Sequence, residues 1–349
     1  MNYLNKYLSN NKAIPIDKFF YNVLYNKKNG YYIKKNPIGK NGDFITSPMI
    51  SFLFSEMIAV WIVSYWESLN KPKKFNIIEL GPGTGKLYKD LIKTFKKFPN
   101  FYSSSNFYLY EKSTVLKNLQ KNNLHGEKIS WISNFNEIKK GQSIFFGNEF
   151  FDAIPIKQFK RKKNKIFEKF IKINNSKKIE IIFKSARETD TKQLKKFNLF
   201  KNNDFVEFPK LGLKELKFVV KKIKKSNGGL LLIDYGYLNQ INIDTLQSVK
   251  NHKKNNIFKN LGDSDITSLV NFSLLKNYFK DNDLKVNNVV TQSFFLKKVG
   301  ILERAEIVSK KMSFKEKSDL FLRLKRLLDA KHMGEIFKVI FAYKGKKEI

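Results

Sequence analysis

A short apolar segment, three glycines and an amphipathic stretch form the clearest pattern along the chain. Residues 75–80 are mostly apolar and run directly into Gly81, Gly83 and Gly85. Beyond the glycines, apolar residues recur at helical spacing with lysines between them, which predicts a helix over residues 87–98. This region is therefore predicted to be a strand, a tight turn and a helix, the unit that opens a nucleotide-binding sheet.

The spacing of the glycines narrows the class of ligand. Glycine lets the backbone approach a ligand closely, and the helix N-terminus offers N–H groups to a negative group. A dinucleotide fingerprint would place its third glycine at position 86, which is Lys86. The third glycine is instead Gly85, and this G-x-G-x-G form is typical of S-adenosylmethionine (SAM) enzymes. Taken alone, the turn predicts only a ligand site.

The next apolar segment, residues 106–110, predicts a second strand that ends in a carboxylate, Glu111. In a doubly wound sheet this position faces the ribose of a bound nucleotide, where a carboxylate can accept both sugar hydroxyls. The alternative is that Glu111 caps the helix that follows, since Ser113 comes two residues later. The residues before this strand, Pro99 to Ser105, predict a loop.

Two further predicted strands, residues 129–132 and 143–146, lead to a polar cluster beside an apolar wall. Its members are Asn148, Glu149, Phe150, Phe151 and Asp152. Ligands in open α/β sheets bind beyond the carboxyl ends of the strands, where these side chains are expected to lie. Such a cluster can orient an amine or guanidine and take its proton during methylation. The alternative is a strand end with ordinary capping residues.

These motifs and several others occur in the order found in one family, across nearly the whole chain. The sequence resembles the MidA-like SAM-dependent methyltransferases, whose mitochondrial members are assembly factors for respiratory complex I. The segments that carry the resemblance are Gly30-Tyr31-Tyr32, Gly42-Asp43-Phe44-Ile45-Thr46-Ser47-Pro48, Glu79-Leu80-Gly81-Pro82-Gly83, Asn148 to Ala153, Gly228 to Gly236, Asp265-Ile266-Thr267, Thr291-Gln292 and Met333-Gly334.

The resemblance implies an α/β fold with a class I (Rossmann-like) SAM methyltransferase sheet, SAM as the cofactor, and a protein arginine as the acceptor. The implied acceptor protein is the complex I subunit homologous to the mitochondrial 49-kDa one. The residues expected to bind the cofactor are Asp43, Thr46, Glu79, Gly81, Gly83, Gly85, Glu111 and Asn148. Glu149 and Asp152 are the predicted catalytic carboxylates. The residues expected to bind the acceptor are Phe150, Phe151, Asp265 and Thr267.

Four positions near the implied acceptor pocket depart from the family pattern. The family usually has a glutamate and a glutamine where this chain has Met49 and Phe52. A histidine and an aspartate of the D-x-T segment are replaced by Leu269 and Asn271. The glycines and the acidic cluster are intact, so cofactor binding carries over more fully than acceptor specificity.

The motifs predict a chain divided into a methyltransferase core and accessory regions. Residues 1–70 are expected to form an N-terminal helical region, with a loop that folds Asp43, Phe44 and Thr46 over the cofactor. The core is expected to occupy residues 71–160 and 226–349. The remaining predicted parts are an inserted hairpin and helix over residues 160–225 and an excursion over residues 236–275 that acts as a lid or binds the acceptor.

The charge of the chain indicates a rival interpretation. The sequence has 67 Lys+Arg against 31 Asp+Glu, a formal net charge of +36, which is typical of nucleic-acid-binding proteins. However, only five of the basic residues are arginines, whose fork is favoured in base recognition. The chain is also rich in Lys, Asn, Ile and Phe, as A/T-rich codons dictate. We therefore interpret the charge as genomic bias, and nucleic acid is not an expected partner.

The remaining composition limits the chemistry and the location. With no cysteine and three histidines, the chain has no thiolate chemistry and little scope for a metal centre. There is no uninterrupted apolar region of signal-peptide type and no stretch long enough to span a bilayer. A bacterial cytoplasmic protein is the simplest interpretation.

Three other functional classes stay open at this stage. A non-catalytic assembly chaperone would keep the SAM fold and act by binding a partner. An RNA methyltransferase would use the lysine-rich surface, with an affinity that depends steeply on salt. A small-molecule methyltransferase would turn over without a macromolecular acceptor.

Overall fold

The structure is a computed structural model of the 349-residue chain. It describes residues 13–34, 39, 42–43, 45–174, 178–239 and 241–345. Phe44, which was expected to cover the cofactor, lies outside the described residues, as do the first twelve residues of the predicted N-terminal helical region.

The strands in the described part of the chain, in order, are β1 (Ile14–Pro15), β2 (Phe75–Leu80), β3 (Ser105–Tyr110), β4 (Ile129–Ile132), β5 (Gln142–Asn148), β6 (Lys157–Lys162), β7 (Lys165–Ile173), β8 (Ile179–Ser185), β9 (Phe205–Phe208), β10 (Gly229–Tyr237), β11 (Gln247–Lys250), β12 (Lys253–Asn255), β13 (Asp265–Thr267), β14 (Val270–Asn271), β15 (Lys285–Val286), β16 (Val290–Thr291) and β17 (Phe337–Tyr343).

The α-helices in the same ranges are α1 (Ile16–Tyr25), α2 (Tyr31–Lys34), α3 (Ser47–Ile50), α4 (Phe52–Ser68), α5 (Lys86–Phe95), α6 (Pro99–Ser104), α7 (Thr114–Asn123), α8 (Glu188–Lys196), α9 (Lys210–Ser226), α10 (Phe272–Lys280), α11 (Gln292–Lys298), α12 (Ile301–Ser309), α13 (Phe314–Leu328) and α14 (Met333–Ile336). None of these helices combines the length and apolar character that crossing a bilayer requires.

The chain divides into two compact units, each assembled from separate stretches of sequence. The first unit comprises the described parts of Met1–Phe44, Phe151–Lys217 and Tyr237–Tyr278. The second comprises the described parts of Ile45–Phe150, Phe218–Gly236 and Phe279–Ile349. The predicted subdivision into core, insertion and lid stays a prediction.

The second unit contains a mixed sheet in the order β15-β17-β10-β5-β2-β3-β4, and β16 also pairs with β17. Strands β10, β5, β2, β3 and β4 are parallel, whereas β17 runs antiparallel to β10. The chain builds the sheet outward from β2 to β4, then returns to place β5 on the other side of β2. Ligands of doubly wound sheets bind where the strand order reverses, which here is at the carboxyl ends of β2 and β5. The predicted α/β fold class is confirmed.

The core of the second unit explains why these segments form strands and helices. All six residues of β2 are buried, as expected of a strand covered on both faces. Helix α4 lies over this sheet, and its buried residues belong to the same hydrophobic core. One local prediction was wrong. Residues 99–104 form helix α6 and not a loop, because Pro99 occupies the first turn of the helix, where proline is tolerated.

The first unit contains a second sheet in the order β1-β7-β6-β9, with β8 pairing β7. Strands β6 and β7 form an antiparallel hairpin in the region where the alternation of apolar and charged residues predicts one. Buried charges are enclosed beside this sheet: Lys157 forms ion pairs with Glu168 and, at 3.4 Å, with Asp190. The short strands β12, β11 and β13 form a separate three-stranded sheet within the predicted excursion over residues 236–275.

Candidate active site

The glycine turn after β2 has the backbone conformation that its sequence predicts. Gly81, Gly83 and Gly85 have φ angles of +64°, +54° and +78°, in the left-handed region that side chains rarely adopt. A Cβ atom added at Gly81 would lie 2.8 Å from a ring carbon of Phe150. The turn therefore requires glycine at its first position both for its backbone angle and for the ring packed against it.

A buried glutamine, Gln120, links the glycine turn by hydrogen bonds to residues at strands β3 and β4. Its Nε2 donates to Gly83 O at 2.8 Å and to Glu111 Oε2 at 3.2 Å, and its Oε1 accepts from Trp131 Nε1 at 3.0 Å. Gln120 is not among the site residues predicted from the sequence. The feature of the sequence that could have identified Gln120 is its position on the buried face of the helix, four residues after Leu116 and four before Leu124.

Glu111 is half-buried at the end of β3, where the sequence places it. Its Oε1 accepts from Ser113 N at 2.7 Å, and burial raises the pKa of its carboxyl. The cap of helix α7 is Ser113, whose Oγ accepts from the N–H of Leu116 at 3.2 Å. Ser113 and not Glu111 therefore caps helix α7. The contact of Glu111 with the ribose of SAM stays a prediction. Trp131 lies partly buried against the core of the second unit.

Two buried acceptor atoms at the reversal of strand order have no donor in the described part of the chain. Glu79, at the end of β2, is 3% exposed, and its Oε2 makes no hydrogen bond there. Asn148 ends the adjacent parallel strand β5, and its Oδ1 is likewise buried without a partner among those residues. Burial raises the pKa of the Glu79 carboxyl well above its ordinary value of 4.5, and the charge of Glu111 raises it further.

These observations fit SAM. A buried acceptor without a donor is costly unless a ligand supplies one, and the methionyl end of SAM carries an ammonium group. Glu79 and Asn148 would receive that group, the glycine turn leaves room for the backbone to approach it, and the Glu111 carboxylate has acceptor capacity for ribose hydroxyls.

Glu149 is held in a strained and fixed position directly after β5. Its φ of +51° lies in the left-handed region, which is uncommon for a residue with a side chain and clusters at functional sites. Its N–H donates to Ile233 O at 2.9 Å. Its Oε1 accepts from Ser47 N at 3.1 Å and from Asn148 Nδ2 at 3.0 Å. The carboxylate is therefore oriented by backbone and side-chain donors together.

Residues beyond the predicted set support this carboxylate. Ser47, which follows the half-buried Thr46, also donates from its Oγ to Gln292 Oε1 at 3.5 Å. Gln292 is fully buried and donates from Nε2 to Leu327 O at 3.0 Å. The sequence flagged both residues through the family resemblance but gave neither a role. The predicted role of Thr46 in cofactor binding stays a prediction.

The first unit brings together three other predicted residues, Asp43, Asp152 and Asp265, all of them buried. Tyr31 OH donates to Asp43 Oδ2 at 2.6 Å, and Tyr32 OH donates to Asp265 Oδ1 at 3.3 Å. Burial raises the pKa of the Asp265 carboxyl well above its ordinary value, and the charges of Asp152 and then Asp43 raise it further. The three carboxyls therefore form one acidic cluster inside this unit.

The other predicted acceptor residues of the first unit lie on different elements. Thr267 is buried in β13. The ring of Phe151 packs so closely on helix α9 that a Cβ added at Gly212 would lie 2.6 Å from it. Two of the departures from the family pattern, Leu269 and Asn271, line one small cleft. Its other lining residues are Phe151, Ile156, Glu207, Pro209, Tyr237, Ser268 and Val270.

The predicted site residues are thus distributed over both units. The second unit contains the glycine turn, Glu79, Glu111, Asn148 and Glu149, whereas the first contains Asp43, Asp152 and Asp265. The division passes between Phe150 and Phe151, so the two predicted catalytic carboxylates belong to different units.

Comparison with known proteins places this geometry in a family. Curated relatives include the mitochondrial protein arginine methyltransferase NDUFAF7 of Xenopus tropicalis, which is 27% identical over 97% of this chain and 84% of its own length. The human protein of the same name is 27% identical over 93% of this chain and 78% of its own length.

A solved structure shares the fold. The crystal structure of a methyltransferase-like protein from Burkholderia thailandensis bound to S-adenosyl-homocysteine has a TM-score of 0.84 and 20% identity, covering 99% of this chain and 93% of the other. A family model described as S-adenosyl-L-methionine-dependent methyltransferase matches residues 57–290. The resemblance drawn from the motifs is confirmed, and the chain belongs to this family of SAM-dependent methyltransferases.

Proposed function

We propose that this methyltransferase modifies a protein arginine in a subunit of respiratory complex I during assembly. The observation that carries the proposal is the likeness, over nearly the whole chain, to proteins named arginine methyltransferases. The proposed acceptor is the subunit homologous to the mitochondrial 49-kDa one, as the family resemblance implies. A location in the bacterial cytoplasm stays a prediction.

The chemistry required of the chain follows from the acceptor. Bound SAM supplies an electrophilic methyl group on a positively charged sulfur. A guanidine nitrogen forms a bond to that carbon as the carbon–sulfur bond breaks, and the methylated guanidinium releases one proton. Because the pKa of arginine lies above 12, its free base is scarce, and a carboxylate must orient the guanidinium and accept the proton.

Glu149 is the residue that we assign to this task. Its support is the strained backbone at the end of β5 together with two donors to one carboxylate oxygen, which fix the direction of the other oxygen. Positioning of this kind supplies much of the rate of a displacement reaction. Asp152 is proposed as a second acid, and Phe150, Phe151, Asp265 and Thr267 as acceptor-binding residues.

The first experiment is calorimetric titration of the purified chain with SAM. Gly83→Val should abolish binding, because a branched side chain is strained at its φ of +54° and lies in the turn. The matched control is Gly126→Val, because Gly126 has a φ of +82° but has open space where a Cβ would lie. The control carries similar backbone strain and should retain binding.

The second experiment incubates the chain with SAM and the purified complex I subunit, and identifies methylarginine by mass spectrometry. Methylation that disappears with Glu149→Gln supports the proposal. SAM binding without methylation of any subunit would contradict the arginine assignment and favour an assembly chaperone. Absence of SAM binding by the folded wild-type chain would contradict the enzymatic function itself.

A further inference from the structure

Strand β8 forms an exposed edge of the sheet in the first unit. It pairs with β7 over its full length, from Ile179 opposite Ile173 to Ser185 opposite Phe167. No other strand in the described ranges pairs with it. Its outer row of backbone N–H and C=O groups is therefore available for pairing with another strand.

The side chains of β8 are unusually apolar for such an edge. Ile181 is 44% exposed and Phe183 is 40% exposed. The strand contains no proline, and its pairing with β7 is continuous, without a bulge. Proline and bulges are two of the devices by which proteins prevent edge-to-edge association. Strand β8 has neither, and Lys184 is its single lysine, so it can serve as a template for a further strand.

The sequence of β8 is complementary to itself when two copies run antiparallel about Ile182. In that register Glu180 lies opposite Lys184 of the second copy, and Ile181 lies opposite Phe183. Opposite charges and aromatic–β-branched pairs are both favourable directly across an antiparallel pair. A two-fold axis through Ile182 repeats each of these pairs once, as an isologous interface requires.

We propose that β8 pairs with β8 of a second copy of this chain, so that the two sheets continue into one across a two-fold axis. The charge of the chain restricts where two copies can meet, because a chain of net charge +36 repels its own copies. An interface between copies must therefore be locally neutral, and β8 carries one acid and one base. The proposal is independent of the proposed function.

Both charged residues of β8 already have contacts within the chain. Glu180 Oε2 lies 3.2 Å from Lys172 Nζ on β7, and Lys184 Nζ lies 5.2 Å from the centroid of the Phe170 ring. Both members of the Glu180–Lys172 pair are exposed, so that pair contributes little and leaves the Glu180 carboxylate accessible to a second cation.

The test is a charge exchange followed by sedimentation equilibrium at one fixed salt concentration. Glu180→Lys alone and Lys184→Glu alone each place two like-charge pairs across the axis, and each should weaken dimerisation about tenfold. The double variant, Glu180→Lys with Lys184→Glu, restores opposite charges across the axis and should recover the wild-type dissociation constant. It should do so even though the new lysine at position 180 is repelled by Lys172 of the same chain. Glu188→Lys on the exposed surface of helix α8 makes the same change in net charge as Glu180→Lys and should have no effect beyond that of the added charge.

A second measurement uses the absence of cysteine from the chain. Ile182→Cys places one thiol beside its symmetry mate at the separation a disulfide needs, and mild oxidation should give a covalent dimer. Glu188→Cys should remain monomeric under the same conditions. A wild-type chain that is monomeric at all concentrations, or a dimer unaffected by the charge exchange, would overturn the proposal.

Discussion

Two groups of buried acids, one in each unit, use their oxygen atoms differently. At the glycine turn of the second unit, Glu79 Oε2 is buried without a donor from the described chain. In the first unit, the oxygens of Asp43 accept from Tyr31 OH at 2.6 Å and from Asn251 N at 2.7 Å. Burial is similar in both places, so the contrast lies in the donors and not in exposure to water.

The contrast distinguishes Glu79 Oε2, whose missing donor a ligand can supply, from the Asp43 carboxyl, whose donors come from the protein itself. The predicted site roles of Asp43, Asp152 and Asp265 stay predictions. A buried acceptor without a donor raises the free energy of the unliganded state, and a ligand that supplies the donor recovers that cost. An acceptor already bonded to tyrosine and backbone groups gains much less. We therefore expect changes at the glycine turn to alter binding, and changes at Tyr31 and Asp43 to alter stability.

The largest effect is expected for Glu149→Gln, which removes the proton acceptor but keeps the shape of the side chain. The rate of methyl transfer should fall by about 10³-fold, within the range attributed to general base catalysis. The affinity for SAM should stay within about twofold of the wild-type value, because the role proposed for Glu149 concerns the acceptor and not the cofactor. Single-turnover kinetics with a methyl-labelled cofactor would measure it, with Glu303→Gln on the exposed side of α12 as the control.

Glu79→Gln should weaken SAM binding by about 10- to 100-fold, the scale of one lost charge-assisted hydrogen bond. The neutral amide can still accept a hydrogen bond, but it no longer carries charge toward the ammonium group. Calorimetry would give the dissociation constant. An unchanged affinity would contradict the comparison between the two groups of acids, because the buried Glu79 Oε2 would then not contact the bound SAM.

The affinity for SAM should rise with pH, by up to about tenfold per pH unit. Burial raises the pKa of Glu79 in the unliganded protein, so the carboxyl holds a proton above its ordinary range. A bound ammonium favours the carboxylate and lowers that pKa, so binding releases the proton and is favoured by higher pH. Titrations in buffers of different ionisation enthalpy should count about one proton released; a count of zero would contradict this coupling.

Tyr31→Phe should reduce the free energy of unfolding by about 1–3 kcal/mol, because the buried Asp43 loses one donor. SAM affinity should not change. Chemical denaturation of the variant beside Tyr21→Phe, which alters an exposed tyrosine of the same unit, would measure the difference. A loss of SAM affinity equal to that of Glu79→Gln would remove the distinction between the two groups.

A further effect is expected in the stability of the unliganded Glu79→Gln variant. Because the folded pKa of Glu79 lies above its ordinary value of 4.5, ionisation costs stability as the pH rises from 4.5 through the folded pKa. Glutamine has no such cost. The variant should match the wild type below pH 4.5 and become the more stable protein above it, as thermal unfolding at several pH values would show.

The glycine turn and the strand and helix beside it could be predicted from sequence, because the residues that form them are neighbours along the chain. An acidic strand end, three glycines and the start of the helix that follows stand within a dozen residues, and the next strand is followed by Glu111. Gln120 was not predicted, because its role depends on hydrogen bonds to both Gly83 and Trp131. Those partners come within reach only when helix α7 packs against the turn and the sheet.

Regions whose structure depends on distant pairing were predicted less well. The strands β11 and β13 lie in polar, irregular sequence and exist because they pair with each other. No role was predicted for Lys157, Glu168 and Asp190, which form a buried ion-pair group only when separate segments of the chain pack together. The helix at Pro99 was mistaken for a loop because proline and serine also favour turns.

The contact between Gln120 and Trp131 gives the protein an intrinsic optical reporter. The same amide that bonds the carbonyl of Gly83 also holds the indole N–H, so a shift of the turn changes the hydrogen bond of a fluorophore. The other two tryptophans, Trp61 and Trp66, belong to helix α4 and to the core of the second unit. Occupancy of the turn can therefore be followed by emission from Trp131 without any attached dye.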